Sequence, residues 1–338
     1  MGPVRDSQRG ASAIGVWGMN APDSGPVPRI AVVGAGAVGG YYGAKLAAAG
    51  CDVHFLMRSD LEWVRTRGME IRSPDGDLRL PPTRAHASTA GIGPCDAVLI
   101  ALKATANDAL PSLLPPLIGP RTMLVTMQNG LGNEEFLATR FGEERVLGCL
   151  CFVCLNRVAP GVIEHYGHGS LALGEFGRAA QPRTRALTAW FERAGIPCEV
   201  SDDLGYARWR KLVWNIPFNG LAIAAGGATV GDVLSDGGLE REARGLMRET
   251  IAAARGLGFD LPEGEEERQI EKSRPMGAYR PSSLIDWKAG RPVEVDAIWS
   301  EPLRRAVGAG VDTPRLALLE ALLRRVCGPI SSTDRGSR

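Results

Sequence analysis

The stretch IAVVGAGAVG, residues 30–39, decides the fold that the sequence predicts. Its first four residues are apolar and mostly β-branched, which predicts a short buried strand, and the rest fits the pattern G-x-G-x-x-G. An alanine-rich helix from Ala37 to about Ala49 and a second strand, Asp52–Met57, are predicted to follow. This context predicts a dinucleotide-binding Rossmann unit, whereas the glycine pattern alone would fit many glycine-rich turns of α/β domains.

Each glycine of this loop has a physical task in such a unit. Gly34 allows a tight turn, Gly36 lets the backbone approach a pyrophosphate, and Gly39 lets the helix pack close to the strand. The first turn of the helix offers unpaired N–H groups to phosphate. We therefore predict cofactor contacts from the whole loop, namely Gly34, Ala35, Gly36, Ala37, Val38 and Gly39.

The end of the second strand indicates which dinucleotide binds. Binders of NAD carry Asp or Glu there for the ribose 2′-hydroxyl, but this chain has Arg58 and Ser59, with no carboxylate before Asp60. An arginine suits a 2′-phosphate, which a carboxylate would repel. The sequence therefore predicts NADP(H) as the cofactor, the alternative being that Arg58 is a solvated surface residue.

Composition bounds the class of protein. The chain has 338 residues, enough for two domains, and a net charge of +1, which favours neither nucleic acid nor an acidic membrane as a partner. No apolar run reaches transmembrane length, and the ends, 1–28 and 331–338, are predicted to be unstructured extensions, with Met19 an alternative start. We expect a cytoplasmic protein without an export signal.

The cysteines and histidines do not predict a metal site. Cys149 and Cys151 lie two residues apart, on one face of a predicted strand, among apolar neighbours, with Cys154 close by. Core packing is the favoured interpretation, with metal ligation as the alternative. His165 and His168 are predicted to belong to a polar hairpin turn.

The order of elements predicts two domains. Strands and helices alternate to about Ser201, and helical patterns follow almost to the end of the chain. We predict a Rossmann NADP-binding domain over 29–201 and an all-α substrate domain over 202–330. Lys103 and Asn129 each follow a buried strand, so both are expected at the edge of the sheet that carries the glycine loop.

A second constellation lies on the first helix of the helical half. Lys211, Asn215 and Asn219 are spaced by four and share one face of an otherwise apolar helix. Asparagine is a poor helix former, so two on one stripe suggest a function, although an exposed polar stripe is the alternative. Pro217 is expected to kink this helix.

The sequence resembles the ketopantoate reductase (2-dehydropantoate 2-reductase) family from residue 29 to about 328. The motifs that carry the resemblance are GAGAVG, LKA, QNGLGN, WRKLVWNIPFN and SSLIDWKAGRPVEVD. The glycine motif is generic, whereas the row of Lys211, Asn215 and Asn219 together with Ser282 and Glu294 is specific. The resemblance implies the two-domain architecture of 6-phosphogluconate-dehydrogenase-like proteins and an NADPH-dependent reduction of a 2-keto acid.

The resemblance also implies residue roles. Lys211 matches the general acid, and Glu294 matches an active-site glutamate near it that helps hold substrate and cofactor, where an ordinary surface glutamate is the alternative. Asn129, Asn215, Asn219 and Ser282 match residues that hold the substrate, and Asn129 also touches the nicotinamide side. Arg58 and Lys103 match cofactor-binding positions. A buried ammonium fits the chemistry, because reducing a ketone requires a proton on its oxygen.

Two departures from the family pattern lie near the substrate. Ala228-Thr229-Val230-Gly231 stands where the pattern has an asparagine before glycine, and Pro217 lies between the two helix asparagines. The expected activity is conversion of 2-dehydropantoate to (R)-pantoate for pantothenate and coenzyme A synthesis. The alternatives are a related reductase for another 2-keto acid and a protein that senses NADPH without catalysis. A homodimer is possible.

Overall fold

The computed structural model describes residues 27–328, so the expectations for residues 1–26 and for the tail 331–338 lie outside it. Within these residues the first part of the chain forms one mixed sheet of ten strands. The strands are β1 (Arg29–Val33), β2 (Asp52–Leu56), β3 (Met69–Arg72), β4 (Leu78–Leu80), β5 (Ala85–His86), β6 (Ala97–Ile100), β7 (Met123–Thr126), β8 (Val146–Ala159), β9 (Val162–Glu175) and β10 (Cys198–Ser201).

The strand order is β4-β3-β9-β8-β7-β6-β1-β2-β5, with β10 also paired to β9. From β5 through β2, β1, β6 and β7 to the start of β8, all neighbours are parallel, whereas β8 and β9 form a long antiparallel hairpin. Parallel strands end at a common edge, so the segments after β1, β2, β6 and β7 meet there. This arrangement confirms the predicted α/β class of the N-terminal part.

The helices are α1 (Ala37–Ala48), α2 (Leu61–Arg67), α3 (Leu110–Leu113), α4 (Asn133–Phe141), α5 (Pro182–Arg193), α6 (Leu204–Ala224), α7 (Val230–Ser235), α8 (Gly237–Gly256), α9 (Glu265–Ser273), α10 (Ser282–Lys288), α11 (Glu301–Gly308) and α12 (Pro314–Cys327), with a π-helical turn at Asp296–Ser300 before α11. From α6 onward the described chain is helical, as the sequence predicts. Helix α6 continues through Pro217 without a break in the helix. None of these helices is both long and apolar enough to cross a bilayer.

Apolar residues cover both faces of the sheet and fill a separate helical core. Tyr42 and Phe55 are fully buried on one face, and Val33 and Leu137 on the other. In the helical core, α6 packs on α8 and α12 around residues such as Trp209. Burial of this apolar area is the main stabilising term, and it fixes α6 against the edge of the sheet.

The predicted assignment of His165 and His168 to a polar hairpin turn is wrong. Both histidines lie inside β9, where shifts of register with β8 mark a β-bulge, and His168 takes a positive φ of 64°. The ring of His165 is buried and hydrogen bonds to the Ser73 hydroxyl at 2.8 Å. The two strands stay paired on both sides of this irregularity, although Gly167 and Gly169 on either side of His168 would be typical of a turn.

The segments around the strand ends differ in detail from the predictions. After β6 the chain forms a 3₁₀ turn at Ala104–Ala109 before the short α3, whereas the alternation of strands and helices alone indicates one regular helix. Helices α4 and α7 are not predicted, because each is short and follows a glycine-rich or capped turn. Pro160 and Gly161 form the turn that joins β8 to β9.

Candidate active site

The glycine loop lies between β1 and α1 at the shared strand edge. Gly34 has a φ of 98°, and a Cβ there would approach the Leu102 amide nitrogen to 2.6 Å. A Cβ on Gly39 would strike the Gly34 carbonyl oxygen. These two glycines therefore serve the close approach of turn, helix and strand, as the sequence predicts.

The surroundings of Gly36 differ and fit a dinucleotide. A Cβ on Gly36 would meet no atom of residues 27–328 within 4 Å, so these residues leave space in front of the loop. No side chain caps the first turn of α1 and no acidic residue lies in it, which leaves that turn available to phosphate. Arg58 follows β2, is exposed and has no partner in the described part of the chain. The donor set and the space both suit a phosphorylated dinucleotide.

Lys211 reaches from α6 to the edge of the sheet. Its Nζ donates to Asn129 Oδ1 at 2.9 Å and to the Cys151 carbonyl oxygen at 2.8 Å. The exposed ring of Phe152 lies beside it, with 5.3 Å from Nζ to the ring centroid. An ammonium has three N–H donors, so this geometry leaves one of them for a ligand.

The electrostatics of Lys211 suit proton transfer near neutral pH. Burial lowers the pKa of Lys211 to about 8, and the positive charge of Arg208 acts in the same direction. The charges of the Cys151 and Cys149 thiols and of Glu294 act in the opposite direction, but they do not restore the usual pKa. The group is therefore a cation at neutral pH that can release its proton.

Asn129 is oriented by a chain of side-chain amides behind the strand edge. Its backbone carbonyl oxygen accepts from Asn133 Nδ2 at 3.0 Å, and Asn133 Oδ1 in turn accepts from Asn107 Nδ2 at 2.9 Å. Gln128 Nε2 donates to Asn107 Oδ1 at 2.7 Å. The Asn129 NH₂ group itself has no partner among residues 27–328, so it remains available beside Lys211.

Lys103 and Glu294 form a contact between the sheet and the helical part. Glu294 is buried, and its carboxylate accepts from Lys103 Nζ at 3.2 Å and from the Ala104 amide at 2.8 Å. Asp286 Oδ2 lies 2.7 Å from the same ammonium. Burial alone would lower the pKa of Lys103, but the charges of Glu294 and Asp286 outweigh it and raise the pKa. Glu294 thus pairs directly with Lys103, while Lys211 feels its charge at longer range.

The remaining predicted substrate residues line α6 and the start of α10. Asn215 is buried, and its side chain makes no hydrogen bond within the described chain. Asn219 is already engaged, because its Oδ1 accepts from the Ser283 amide at 3.1 Å and its Nδ2 donates to the Asn215 carbonyl oxygen at 3.1 Å. Ser282, the first residue of α10, is exposed. Asn219 therefore fixes α10, and Ser282 with it, relative to α6.

Thr229, which departs from the family pattern, has a local structural use. Its hydroxyl accepts from the Asp232 amide at 3.1 Å, and its own amide donates to Asp232 Oδ2 at 2.8 Å. This reciprocal pair is a capping box at the start of α7.

Sequence reasoning missed an ion pair beneath the site. Arg208, one turn before Lys211 on α6, is buried and donates through Nε to Glu134 Oε1 at 2.9 Å and through Nη1 to the Gln128 carbonyl oxygen at 2.7 Å. Asp286 and the Cys151 backbone were also unassigned. A charged residue three positions before Lys211 in an apolar helix was the available signal for Arg208, whereas no sequence signal marks a backbone carbonyl.

Comparison with protein families matches nearly all of the described chain. The model described as "Ketopantoate reductase PanE/ApbA" matches residues 30–178, and the model described as "Ketopantoate reductase PanE/ApbA C terminal" matches residues 203–326.

Individual proteins are similar over the same length. The chain is 39% identical to a 2-dehydropantoate 2-reductase of Nostoc sp., over 89% of this chain and 95% of that protein. It is 33% identical to one of Mesorhizobium japonicum, over 88% and 97%. A crystal structure of a 2-dehydropantoate 2-reductase from Geobacter metallireducens superposes with a TM-score of 0.86 at 43% identity, covering 88% of this chain and 99% of that one.

Proposed function

This chain belongs to the ketopantoate reductase family, and from that premise we propose that it reduces 2-dehydropantoate to (R)-pantoate with NADPH. It is an oxidoreductase with a nicotinamide cofactor, acting on a carbonyl group and its alcohol. The single observation that carries the proposal for this chain is the Lys211 ammonium, held by two neutral acceptors at the strand edge with one N–H to spare.

The glycine loop and Arg58 would hold the cofactor. The open space at Gly36 and the uncapped first turn of α1 support a pyrophosphate there, and the unpartnered Arg58 supports a 2′-phosphate and hence NADP(H). The reduced nicotinamide supplies a hydride when it is bound. Lys103 would contact the cofactor from the end of β6, since its pairing with Glu294 and Asp286 keeps its ammonium charged at this edge.

Lys211 would donate the proton that the reduction requires. Asn129 and the Cys151 carbonyl orient its ammonium, and the third N–H would bind the carbonyl oxygen of the keto acid. As negative charge develops on that oxygen, a buried cation stabilises it strongly and then releases a proton, which the lowered pKa favours.

The other side chains would bind the ends of the keto acid. The unpartnered amide groups of Asn129 and Asn215 offer donors, and Ser282 offers a hydroxyl for the carboxylate. Asn219 and Glu294 support the site through the contacts that join α6, α10 and the end of β6. Burial of the substrate between sheet and helices would exclude water from the reacting carbonyl.

We also propose the organisation of the whole chain. The chain would have a cofactor domain over 29–201 and a helical substrate domain over 202–330. The proposed boundary falls between the end of β10 at Ser201 and the start of α6 at Leu204. A cytoplasmic location remains a prediction of the sequence. Whether the protein forms a homodimer is measured by sedimentation velocity.

The test is NADPH oxidation by the purified protein with 2-dehydropantoate, beside pyruvate, 2-ketoisovalerate and phenylglyoxylate. We expect the highest kcat/KM with 2-dehydropantoate, as the names of the relatives support. A higher kcat/KM with another acid would refute the proposed substrate while keeping the lysine chemistry. NADPH binding without turnover of any of these acids would instead support a protein that senses NADPH without catalysis.

A further inference from the structure

The loop after β2 contains a carboxylate that opposes the proposed cofactor. Asp60 lies two residues after Arg58, in the segment where a carboxylate commonly selects the unphosphorylated ribose. A free Asp60 would repel a 2′-phosphate at Arg58. The surroundings of Asp60 therefore bear on cofactor selection.

Within the described residues, the Asp60 carboxylate is contacted by its neighbour Ser59 and by the distant hairpin of β8 and β9. Its Oδ1 accepts from the Ser59 hydroxyl at 2.8 Å and from Arg157 Nη1 at 2.5 Å. Its Oδ2 accepts from the Gly161 amide at 3.0 Å. Arg157 Nη1 also donates to the Ser59 hydroxyl oxygen at 2.9 Å, so the hairpin holds the whole Arg58-Ser59-Asp60 segment.

These contacts keep Asp60 ionised but neutralised. Burial on its own would raise the pKa of Asp60, yet the Gly161 amide, the Ser59 hydroxyl and Arg157 together hold it below its usual range. The carboxylate is 7% exposed, whereas the Arg157 side chain is 42% exposed. Asp60 and Arg157 cancel in charge, which leaves Arg58 as the uncompensated cation of the segment.

Arg157 also has donors left over. Only its Nη1 is engaged, and neither Nε nor Nη2 has a partner within residues 27–328. A guanidinium that is half exposed and bonded to Ser59, the residue after Arg58, can contribute these groups to binding a phosphate.

We propose that Arg157, on β8, is a specificity-determining residue for the 2′-phosphate: it neutralises Asp60 and presents its free N–H groups beside Arg58. This inference rests on the proposed use of NADPH. Preference for the phosphorylated cofactor then depends on a residue about a hundred positions after the strand whose end is expected to decide it.

The proposal makes opposite predictions for the two cofactors. Arg157→Ala removes a donor and exposes the charge of Asp60, so the Kd for NADPH should rise about 10- to 100-fold, the range for a lost hydrogen bond to a charged group. The Kd for NADH should stay within about threefold, because its 2′-hydroxyl is not repelled. Adding Asp60→Asn to Arg157→Ala should recover part of the NADPH affinity, and Arg157→Lys should retain most of it.

The experiment is a titration of each variant with NADPH, NADH, 2′,5′-ADP and 5′-ADP, followed by intrinsic fluorescence. Arg315→Ala is the matched control. Like Arg157, Arg315 is about half exposed (44%) and pairs with a mostly buried carboxylate, that of Glu249, which is 9% exposed. In the variant this carboxylate would still accept from the backbone amides of residues 315 and 316. We expect this control to leave the ratio of the Kd for NADH to the Kd for NADPH unchanged. Thermal melts show whether each variant is folded.

Three results would overturn the inference. They are unchanged affinity for both cofactors in Arg157→Ala, an equal fold-loss of affinity for both cofactors in Arg157→Ala, and no recovery of NADPH affinity in the double variant. The titration uses no keto acid, so its outcome is separate from the test of the substrate. Equal affinity of the unmodified protein for NADPH and NADH would refute the proposed cofactor, and this inference with it.

Discussion

Two lysines at the same edge of the sheet have opposite electrostatic environments. Lys211 contacts an amide and a carbonyl, so burial dominates and its pKa falls to about 8. Lys103 contacts two carboxylates, whose charges outweigh burial and raise its pKa. The first lysine can therefore exchange a proton near neutral pH, and the second remains a fixed cation. This difference supports the proposed roles of Lys211 as general acid and of Lys103 as a binding residue.

Replacing Lys211 tests the proton donor. Lys211→Ala should lower kcat by about 10²- to 10⁴-fold, the usual contribution of a positioned acid, while the Kd for NADPH changes little. Steady-state kinetics and a fluorescence titration measure the two quantities. Lys45→Ala is a suitable control, because Lys45 is also partly buried but donates to the Gly195 carbonyl oxygen at the far end of α1. Turnover near normal in Lys211→Ala would refute its role.

The pH profile tests the lowered pKa. Reduction requires protonated Lys211, so kcat/KM should be constant below pH about 8 and fall tenfold per pH unit above it. The reverse oxidation requires the neutral amine and should rise over the same range. In Lys211→Arg the residual activity should lack this falling limb, since a guanidinium stays protonated. A limb that persists in Lys211→Arg would assign it to another group.

At the scale of the element, the loop between β1 and α1 divides its glycines between folding and binding. Gly34 and Gly39 lie against protein backbone, whereas Gly36 faces open space. Helix α6 shows a similar division, since Arg208 and Asn219 fix neighbouring elements while Lys211 and Asn215 keep groups for a ligand. Helix α6 also continues through Pro217, which is buried in the helical core, and beside it Trp299 Nε1 donates to the Ile216 carbonyl oxygen at 3.0 Å.

Alanine substitutions should separate these two uses of glycine. Gly39→Ala should lower the free energy of unfolding by about 1–3 kcal/mol, because its Cβ has no room against the Gly34 carbonyl. Gly36→Ala, with a φ of −76°, should unfold like the natural protein but bind NADPH about tenfold or more weakly, since its Cβ takes the place of the pyrophosphate. Thermal melts with and without NADPH distinguish the variants. Equal loss of stability in both would contradict the division.

At the scale of the whole molecule, contacts between the sheet and the helices assemble the site. The Lys103 contact with Glu294 joins the end of β6 to the segment after α10. The buried pair of Arg208 and Glu134 joins α6 to α4. Between them, the Leu131 amide donates to the Ala297 carbonyl oxygen at 2.9 Å, with Gly130 too close to that backbone for any side chain. These contacts fix the distance between Lys211 and the glycine loop, so the site depends on the relative placement of both parts.

The buried pair should therefore matter more than a neighbouring surface pair. Glu134→Ala should destabilise the protein by about 3–5 kcal/mol, because it leaves the charge of Arg208 buried without a partner. Glu135→Ala, on the same helix, removes a pair between Arg305 and a carboxylate that is 43% exposed, and should cost at most about 1 kcal/mol. Urea denaturation followed by fluorescence compares them. Similar midpoints would show that the buried pair does not hold the two parts together.

Local patterns along the chain determined much of this protein. The glycine loop, the buried strands and the row on α6 depend on spacing within one turn or one strand, and the order of elements and the family followed from them. The positions of Lys103 and Asn129 at the strand edge were also predictable, because parallel strands end together.

Only the tertiary structure decided which groups these residues contact. Glu294 pairs with Lys103, Asn219 fixes α10, and Asp60 is neutralised by Arg157, all through contacts between segments far apart in sequence. The pKa of Lys211 depends in the same way on burial and on the charged groups around it, Cys151 and Arg208 among them. Desolvation and ion pairing arise from three-dimensional neighbours, which spacing along one chain segment does not specify.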